Sequence, residues 1–362
     1  MQKGGPARTM GTMSARLSRR RFLPLAAAAT LGSCARRNDS NVLNIYLWAE
    51  YLPDDVVRDF EIEHGCRVQV DTYNSNEEMM AKAATGNCGY DLVCPSQYAV
   101  SQMASQGLLA ELDHGALPGR RNLDARFAGM RADPEGRWAI PYLGASTGIG
   151  YRKGAVEPPP QRWADLFDPA FLEKVRGKLS ILDDAREASA IALLALGLSP
   201  NTTDPVEIAK AGDLLRRQKP AVACYDSEAF EDKLASGICS IVQGYAGDFV
   251  AVMQADAELD FFLPAEGSVF NMDCLCVLRE SPRKVQAHQF LEYILRPAVA
   301  ARISQGTGYP TANAAAAGLI PAELRDHPCF RIPQGDQLIM LEDPGVAVKD
   351  LFTQAWESVK QA

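Results

Sequence analysis

The chain has 362 residues, 47% of them hydrophobic and 23% charged, and its formal net charge is −8. This composition excludes the disordered and fibrous classes of protein, and the length is sufficient for two domains with separate cores. The only long apolar stretch lies near the N-terminus, and it is too short to span a bilayer as a helix.

Residues 1–33 have the composition of an export signal. They contain six basic residues and no acid, with an arginine run followed by Phe-Leu at 19–23 and a weakly apolar run at 25–31. Paired arginines in this order resemble a twin-arginine signal. Removal of the six positive charges changes the formal net charge from −8 to −14. The signal predicts an exported protein. Because a surface this acidic repels nucleic acid and attracts cations, we predict that the protein binds no nucleic acid.

The signal ends in Leu-Gly-Ser-Cys at 31–34, which resembles the lipobox of bacterial lipoproteins. In a lipobox the cysteine becomes the lipidated first residue, so Cys34 is the predicted lipidation site and 34–41 a polar tether. A lipid on one cysteine anchors a protein to a membrane surface without spanning it. The predicted location is therefore the periplasm, with attachment through Cys34. The alternative is cleavage nearby, which would release a soluble protein.

The first part of the mature chain alternates between strand and helix patterns. The predicted elements are a strand at 42–48, a helix at 53–65, a strand at 67–73, a helix capped by Ser75 with Glu78, a strand at 90–95 and a helix capped by Ser96. This alternation is typical of an open parallel α/β sheet, in which ligands bind at the carboxyl ends of the strands. Residues directly after these strands are therefore candidates for a site.

Residues 139–151 are rich in glycine and predict a strand that crosses between two lobes. Gly148 and Gly150 lack the third glycine and the helix of a dinucleotide site, so no cofactor is predicted. A second α/β pattern follows, with predicted strands at 178–182, 239–243, 260–264 and 270–278. The predicted helices of this part are at 169–175 and 185–198, after the loop at 199–205 as far as residue 217, at 285–295, and from 344 onward. The expected architecture is a two-lobed α/β protein in which each lobe has its own open sheet.

Nine cysteines are present, and eight remain if Cys34 carries a lipid. Export places them in an oxidising compartment, but their irregular spacing identifies no disulfide pairing. Cys274 and Cys276 would share one face of a strand, yet the chain has no second such pair and only four histidines. We therefore predict no zinc or other metal site and take buried free thiols as the default.

Three acids follow the apolar run that ends at Leu182. Asp183 or Asp184 is expected to cap the next helix, with Glu187 in its first turn. Capping alone is sufficient to explain acids here, because the free N–H groups and the dipole of a helix start favour negative charge. A role in ligand binding gains weight because further acids stand beside aromatic residues at other strand ends.

Acids and aromatic residues from distant segments suit one kind of ligand. The candidate residues are Trp48, Glu50, Tyr51, Ser96, Tyr98, Asp184, Glu187, Tyr245, Asp248, Asn271, Asp273 and Tyr309. An elongated polycation requires separated carboxylates for its ammonium groups, aromatic faces for cation–π contact, and apolar walls for its methylenes. A metal would instead require the acids to converge on one point. A glycosidase would also place two carboxylates, here Glu187 and Asp248, in an aromatic cleft, and this alternative remains open.

Residues 42–360 resemble the spermidine/putrescine-binding proteins of bacterial ABC transporters. The segments that carry the resemblance are NIYLWAEYLPDD (44–55), TYNSNEEMMAK (72–82), YDLVCPSQY (90–98), LDDARE (182–187), GYAGDF (244–249), LRPAVAARIS (295–304) and GYPTANAAA (308–316). The resemblance implies a two-lobed type II periplasmic binding fold whose hinge closes on the ligand. It assigns 42–143 with 273–307 to lobe 1, and 144–272 with 308–362 to lobe 2.

The resemblance also implies roles for the candidate residues. Glu187 (with Asp184 near it), Asp248 and Asp273 would take the ammonium groups. The wall of the first lobe would be lined by Trp48, Glu50 and Tyr51, with Ser96 and Tyr98 facing them, and Tyr245 and Tyr309 would cover the hydrocarbon. Two positions depart from the family pattern: Tyr245 stands where Trp is common, and Asn271 where an aromatic residue is usual. Both departures bear on which ligand is held, and Asn271 points to a shorter or more polar amine, or to weaker binding.

The sequence therefore predicts a monomeric, non-catalytic protein that captures a polyamine and delivers it to an inner-membrane ABC permease. A sensor that docks a receptor would share every site residue. Capture of ferric ion or an anion by the same fold is a further alternative. Ferric sites in proteins of this fold typically contain a pair of adjacent tyrosines, which the chain lacks. Anion sites favour basic residues and helix N-termini over acids.

Overall fold

The computed structural model describes residues 41–362. The predicted signal, Cys34 and the tether up to residue 40 lie outside the described residues. Within 41–362, no helix combines the length and the hydropathy needed to cross a bilayer.

Ten strands form one sheet, with the order β2-β1-β3-β9-β4-β7-β5-β6, β8 beside β4 and β10 beside β9. The strands are β1 (Val42–Trp48), β2 (Arg67–Tyr73), β3 (Leu92–Val93), β4 (Ala139–Arg152), β5 (Leu179–Ile181), β6 (Val222–Tyr225), β7 (Ile241–Tyr245), β8 (Leu259–Phe262), β9 (Ser268–Val277) and β10 (Leu338–Ile339). β1 is parallel to β2 and β3, and β5 is parallel to β6 and β7. Each side of the sheet is therefore a parallel α/β unit.

The antiparallel pair β4 and β9 joins these two parallel units. Residues 139–146 of β4 pair with β9, and residues 147–152 pair with β7 and β8. At its other end β9 pairs with β3. The chain therefore passes between the two units along β4 and again along β9, as the glycine-rich crossing strand predicts.

Aromatic rings packed on the backbone explain the glycines of β4. A Cβ atom at Gly144 would lie 2.2 Å from the Phe270 ring, and one at Gly150 would lie 2.4 Å from the Phe249 ring. No larger residue fits without displacing these buried rings. The glycines of β4 therefore serve close packing.

Helices alternate with the strands along the chain in both α/β units. They are α1 (Asp54–His64), α2 (Asn76–Ala84), α3 (Gln97–Ser105), α4 (Ala125–Ala128), α5 (Pro169–Lys174), α6 (Ala185–Ala195), α7 (Pro205–Gln218), α8 (Phe230–Ala235), α9 (Phe249–Ala255), α10 (Lys284–Ile294), α11 (Pro297–Thr307), α12 (Ala322–Arg325) and α13 (Val346–Gln361). Ser75 caps α2 as predicted, because its hydroxyl accepts a hydrogen bond from the Glu78 N–H at 3.1 Å.

The structure shortens one strand predicted from the sequence and adds elements that were not predicted. The third strand spans Leu92–Val93 and not 90–95, since the Asp91 carboxylate takes the Asn44 N–H at 2.9 Å and Pro95 has no N–H to donate. Among the elements that were not predicted are β6 and α8. These elements have four and six residues, too few for a helical or strand periodicity to be distinct.

The C-terminal helix α13 belongs to the second α/β unit. Its buried Phe352 and Trp356 join the core cluster that contains Trp163, together with residues of α6 and α7. Trp356 also donates a hydrogen bond from Nε1 to Asp183 Oδ1 at 3.0 Å. Burial of two large aromatic side chains contributes on the order of several kcal/mol. The helix is therefore part of the core, and it uses one of the two acids predicted as a cap.

Candidate functional site

The loop from β5 to α6 separates the roles of its acids. Asp184 caps α6, because its Oδ1 accepts hydrogen bonds from the N–H groups of Arg186 at 2.8 Å and Glu187 at 2.9 Å. Asp183 is exposed and bound to Trp356. Of the two predicted caps, Asp184 is therefore the one that forms. With the cap satisfied, the carboxylate of Glu187 is available for other contacts.

Glu187 is 2% exposed, and its carboxylate receives hydrogen bonds from two neutral side chains. Thr147 Oγ1 donates to Oε2 at 2.9 Å, and Asn271 Nδ2 donates to Oε1 at 2.7 Å. Burial raises the pKa of Glu187 to about 7, with a further contribution from the charge of Asp184. The two hydrogen bonds act in the opposite direction but are weaker than burial. Ionised Glu187 would therefore gain from a cation.

Asp273 on β9 is held in a similar way. The Tyr51 hydroxyl donates to Oδ2 at 2.8 Å, and the Ser96 hydroxyl donates to Oδ1 at 2.6 Å. Burial raises the pKa of Asp273 to about 6, and these hydrogen bonds offset part of the shift. Ser96 stands at the N-cap of α3, but its side chain makes no capping hydrogen bond. The predicted capping role of Ser96 is wrong, because its hydroxyl is committed to Asp273.

Asp248 lies in the short 3-10 turn that follows β7. The Tyr309 hydroxyl donates to its Oδ1 at 2.7 Å. Burial raises the pKa of Asp248 to about 6, and the charge of Glu50 raises it further. Glu50 is exposed and follows β1 with a φ of 56°, a left-handed conformation that is uncommon for residues other than glycine. Glu50 and Asp248 therefore bring acids from the two α/β units into the same region.

Tyrosine rings lie between these acids. Tyr51 and Tyr309 have ring centroids 5.3 Å apart, and Gly247 allows Tyr309 to lie against the turn, since a Cβ there would be 2.5 Å from the ring. Tyr98 accepts a hydrogen bond from Asn76 Nδ2 at 2.9 Å. Tyr245 packs edge-on to the Phe230 ring at 6.0 Å. Four of the predicted aromatic residues are therefore ordered by neighbours around the acids.

Glu187, Asp273 and Asp248 share tyrosine neighbours, and these shared neighbours give the order of the three acids along the site. Burial raises the pKa of Tyr245 well above its ordinary value, and the charges of Glu187 and Asp273 add to this effect. The pKa of Tyr309 is likewise raised by burial and by Asp248 and Asp273. The contacts place Asp273 between the other two acids: Asn271, which donates to Glu187, stands two residues before Asp273 on β9, and Tyr51, which donates to Asp273, packs against Tyr309, which donates to Asp248. The order is an inner end (Asp184 and Glu187), Asp273 in the middle and an outer end (Asp248 and Glu50).

A row of acids is unsuited to a single metal ion. In residues 41–362, no group of three or more His, Cys, Asp or Glu side chains is placed to hold one. The carboxylates are spaced by rings instead of converging, so each can meet a different charge of one extended molecule. Separated carboxylates with rings between them are the groups that a linear, multiply charged cation requires.

Two buried polar atoms in the predicted site have no hydrogen-bond partner within 41–362. They are the indole Nε1 of Trp48 and the carboxamide Oδ1 of Asn271. Buried polar atoms are nearly always paired, so these two are candidates to contact a ligand. Trp48 itself packs edge-on to Tyr73, with ring centroids 4.6 Å apart. Asn271 offers a free acceptor where the family resemblance leads one to expect an aromatic ring.

The structure adds residues to the site that the sequence analysis missed. Thr147 on β4 supports Glu187, and Tyr142 donates a hydrogen bond to the Tyr51 carbonyl at 2.7 Å. Asn76 is buried and contacts both Ser96 and Tyr98. None stands directly after a strand. The only signal for Thr147 was its place within the glycine-rich crossing strand.

The fold places the chain in the class of type II periplasmic binding proteins. Residues 55–330 match the model of the family described as bacterial extracellular solute-binding protein. The solved structure of a putative spermidine/putrescine ABC transporter from Listeria monocytogenes superposes with a TM-score of 0.82, at 29% identity, covering 88% of this chain and 99% of that one. The TpPotD lipoprotein of Treponema pallidum gives 0.81, also at 29% identity and 88% of this chain.

The sequence is also similar to that of a named periplasmic protein, which identifies the family more closely. The spermidine/putrescine-binding periplasmic protein of Escherichia coli K12 is 37% identical over 307 residues, which cover 84% of this chain and 87% of the relative. The chain belongs to the family of the spermidine/putrescine-binding periplasmic proteins within the bacterial extracellular solute-binding proteins. The fold class and the family predicted from the sequence are thereby confirmed.

Proposed function

We propose that this protein captures a polyamine of the putrescine or spermidine class outside the cytoplasm and delivers it to an ABC permease. The observation that carries the proposal is a row of three buried or half-buried carboxylates, each hydrogen-bonded to neutral donors. Such carboxylates are costly to ionise without a cation, as the raised pKa values of Glu187, Asp273 and Asp248 indicate. A ligand with several ammonium groups would supply the missing charges.

The proposal includes closure of two lobes around the ligand. Lobe 1 would comprise 42–143 and 273–307, and lobe 2 would comprise 144–272 and 308–362, with β4 and β9 as the crossing strands. The acids support this arrangement, because Glu187 and Asp248 belong to the proposed lobe 2 while Glu50 and Asp273 belong to lobe 1. A polycation bound to both sets would favour the closed form by bridging them.

Calorimetry of the purified mature protein with putrescine, cadaverine and spermidine at pH 8 tests the ligand class. We expect saturable binding of at least one amine with one molecule per chain. The matched control is Glu187→Gln, which keeps the shape of the side chain and removes its charge. An absence of heat with all three amines, together with binding of an anion or ferric ion, would contradict the proposal and favour the alternative ligand class.

The proposed role is capture and not catalysis. Turnover of a bound substrate by the wild-type protein, lost in Glu187→Gln, would instead support the hydrolase alternative. Transport and sensing share the same cleft and require a cellular test. Loss of polyamine uptake in a strain without the protein supports transport, whereas normal uptake with a lost transcriptional response supports a sensor.

Lipidation of Cys34 after export through a twin-arginine signal is part of the same proposal. The motif at 31–34 supports it, and the relative from Treponema pallidum is described as a lipoprotein. Cys34→Ser should move the protein from the membrane fraction to the soluble periplasmic fraction, while replacement of Arg19 and Arg20 by Lys should block export. Continued membrane association of processed Cys34→Ser would count against the lipid anchor. A monomer is expected from size-exclusion chromatography.

A further inference from the structure

An additional acid lies near the outer end of the row, on the short helix α8. This helix packs against β7, whose carboxyl end leads into the turn that carries Asp248. Phe230 fixes the start of α8, because a Cβ atom at Gly244 of β7 would lie only 2.3 Å from its ring. Phe230 also packs against Tyr245 and Phe249, at centroid distances of 6.0 and 5.5 Å, and these two residues flank the turn that carries Asp248. The next residue, Glu231, is therefore held close to that turn by packing that does not involve its own carboxylate.

The carboxylate of Glu231 is incompletely satisfied. Its Oε2 atom is shielded from solvent and has no hydrogen-bond partner within 41–362. Burial raises the pKa of Glu231 to about 7, and the charges of Asp248, Asp232 and Glu50 add to the shift. Asp232 is exposed, but Asp248 and Glu50 belong to the proposed site. Glu231 therefore completes a group of acids drawn from both α/β units.

The nearest lysine on the same helix does not offset this charge. Lys233 forms an ion pair with Asp226, in the loop that precedes α8. The charged neighbours that perturb Glu231 are acids, so an additional positive charge at this place would be favourable. Glu231 differs in this respect from a surface glutamate, which water would stabilise.

The two ends of the row differ in what they can offer a diamine. Glu187 and Asp273 are almost fully buried, and each already holds two donors in fixed positions. A diamine has one positive charge for each of these two carboxylates. A triamine has one charge more, which would extend along the row toward Asp248 and Glu50, where Glu231 also lies.

We infer that Glu231 is a specificity-determining residue that binds the third ammonium group of a triamine such as spermidine. The inference rests on the proposed polyamine function and deepens it, because it concerns which members of the class are preferred. It predicts that loss of the Glu231 charge affects a triamine and leaves a diamine nearly unchanged. Glu231 would thus separate ligands by the number of their charges.

Calorimetry at pH 8 with putrescine and spermidine tests this inference on the wild-type protein and on Glu231→Gln. The control is Glu228→Gln, an exposed glutamate in the loop before α8. We expect Glu231→Gln to weaken spermidine binding by about tenfold or more and putrescine binding by less than about twofold, since a hydrogen bond to a charged group is lost only with the triamine. Glu228→Gln should change neither affinity.

The outcomes separate this inference from the proposed function. If the wild-type protein binds neither amine, the proposed function fails. If it binds putrescine but Glu231→Gln leaves spermidine affinity unchanged, or weakens both amines equally, Glu231 does not select for a third charge. A wild-type protein that binds putrescine and rejects spermidine would also overturn the inference. Thermal melting of both variants confirms that each is folded.

Discussion

The inner and outer ends of the acid row use the same chemistry with different rigidity. Glu187 at the inner end is 2% exposed and is held by donors on two different strands. Asp248 at the outer end is half-buried, has Tyr309 as its side-chain donor, and lies near the exposed Glu50. A fixed end can select one ammonium geometry, whereas a looser end can accommodate ligands of different length.

The ionised carboxylates at both ends lower the stability of the ligand-free protein. The pKa of Glu187 is raised from 4.5 to about 7, and that of Asp248 from 3.8 to about 6. Between the ordinary and the raised value, the folded state binds more protons than the unfolded state. The free energy of unfolding of the empty protein therefore falls as pH rises through these windows. Binding of a cation to the ionised form has the opposite dependence and strengthens as pH rises.

The largest effect is expected from removing the charge of the inner end. Glu187→Gln should weaken binding of putrescine and spermidine by about 2–5 kcal/mol, because one partner of a buried charge pair is lost. The empty variant should be more stable than wild type at pH 8, by up to about 3 kcal/mol, and by less at pH 5. Calorimetry and thermal melting measure the two effects. A variant that binds normally would show that the inner end does not contact the ligand.

Charge removal in the middle of the row should have the next largest effect. Asp273→Asn keeps the size of the side chain but should weaken binding of every polyamine by about 1.5–3 kcal/mol, the range for a hydrogen bond to a charged group. Both diamines and triamines should be affected, because Asp273 lies between the two ends. Titration calorimetry at pH 8 measures this loss. Near-unchanged affinity would remove Asp273 from the site.

The affinity of the wild-type protein should depend on pH. From pH 8 to pH 5.5, putrescine binding should weaken by about tenfold or more, because Glu187, with a pKa of about 7, must lose its proton before it pairs with an ammonium group. The ligand amines stay protonated throughout this range. In Glu187→Gln the dependence should be shallower, with Asp273 contributing below about pH 6. A flat profile for the wild-type protein would contradict the role of buried carboxylates.

The smallest effects compare the neutral donors of the two ends directly. Asn271→Ala removes a hydrogen bond to Glu187, and Tyr309→Phe removes one to Asp248. Each loss should raise the pKa of the affected carboxylate and weaken spermidine binding at pH 7 by about 0.5–1.5 kcal/mol. The Asn271 variant should lose more, since Glu187 is the more buried acid, and should recover part of its affinity at pH 8.5. Equal losses at both ends would argue against a difference in rigidity.

Local patterns in the sequence were sufficient for the order of the main elements. Alternation in β2 and the serine cap of α2 depend on residues close in the chain, so they could be recognised without a structure. The placement of acids and rings after strand ends also follows from local pattern, because parallel strands bring their carboxyl ends to one edge. These features defined the two-lobed α/β class and the candidate row.

Pairing between distant residues required the tertiary structure. Whether Asp183 or Asp184 caps α6 depends on Trp356, which lies in the last helix of the chain. The role of Ser96 depends on Asp273 on β9. A capping rule describes the N–H groups of one helix, but it contains no information on which side chain the fold brings alongside. Each of these positions had a plausible local function that a distant contact overruled.

The order of residues along the chain was enough to identify the available chemical groups: separated acids, aromatic faces and the strands that end beside them. How those groups are used depends on the folded chain, because β4 and β9 bring Thr147 and Asn271 to Glu187, and α8 packs through Phe230 beside the turn that carries Asp248. The physical reason is that burial and charge proximity, which set the pKa of each acid, are properties of the packed molecule and not of any single segment.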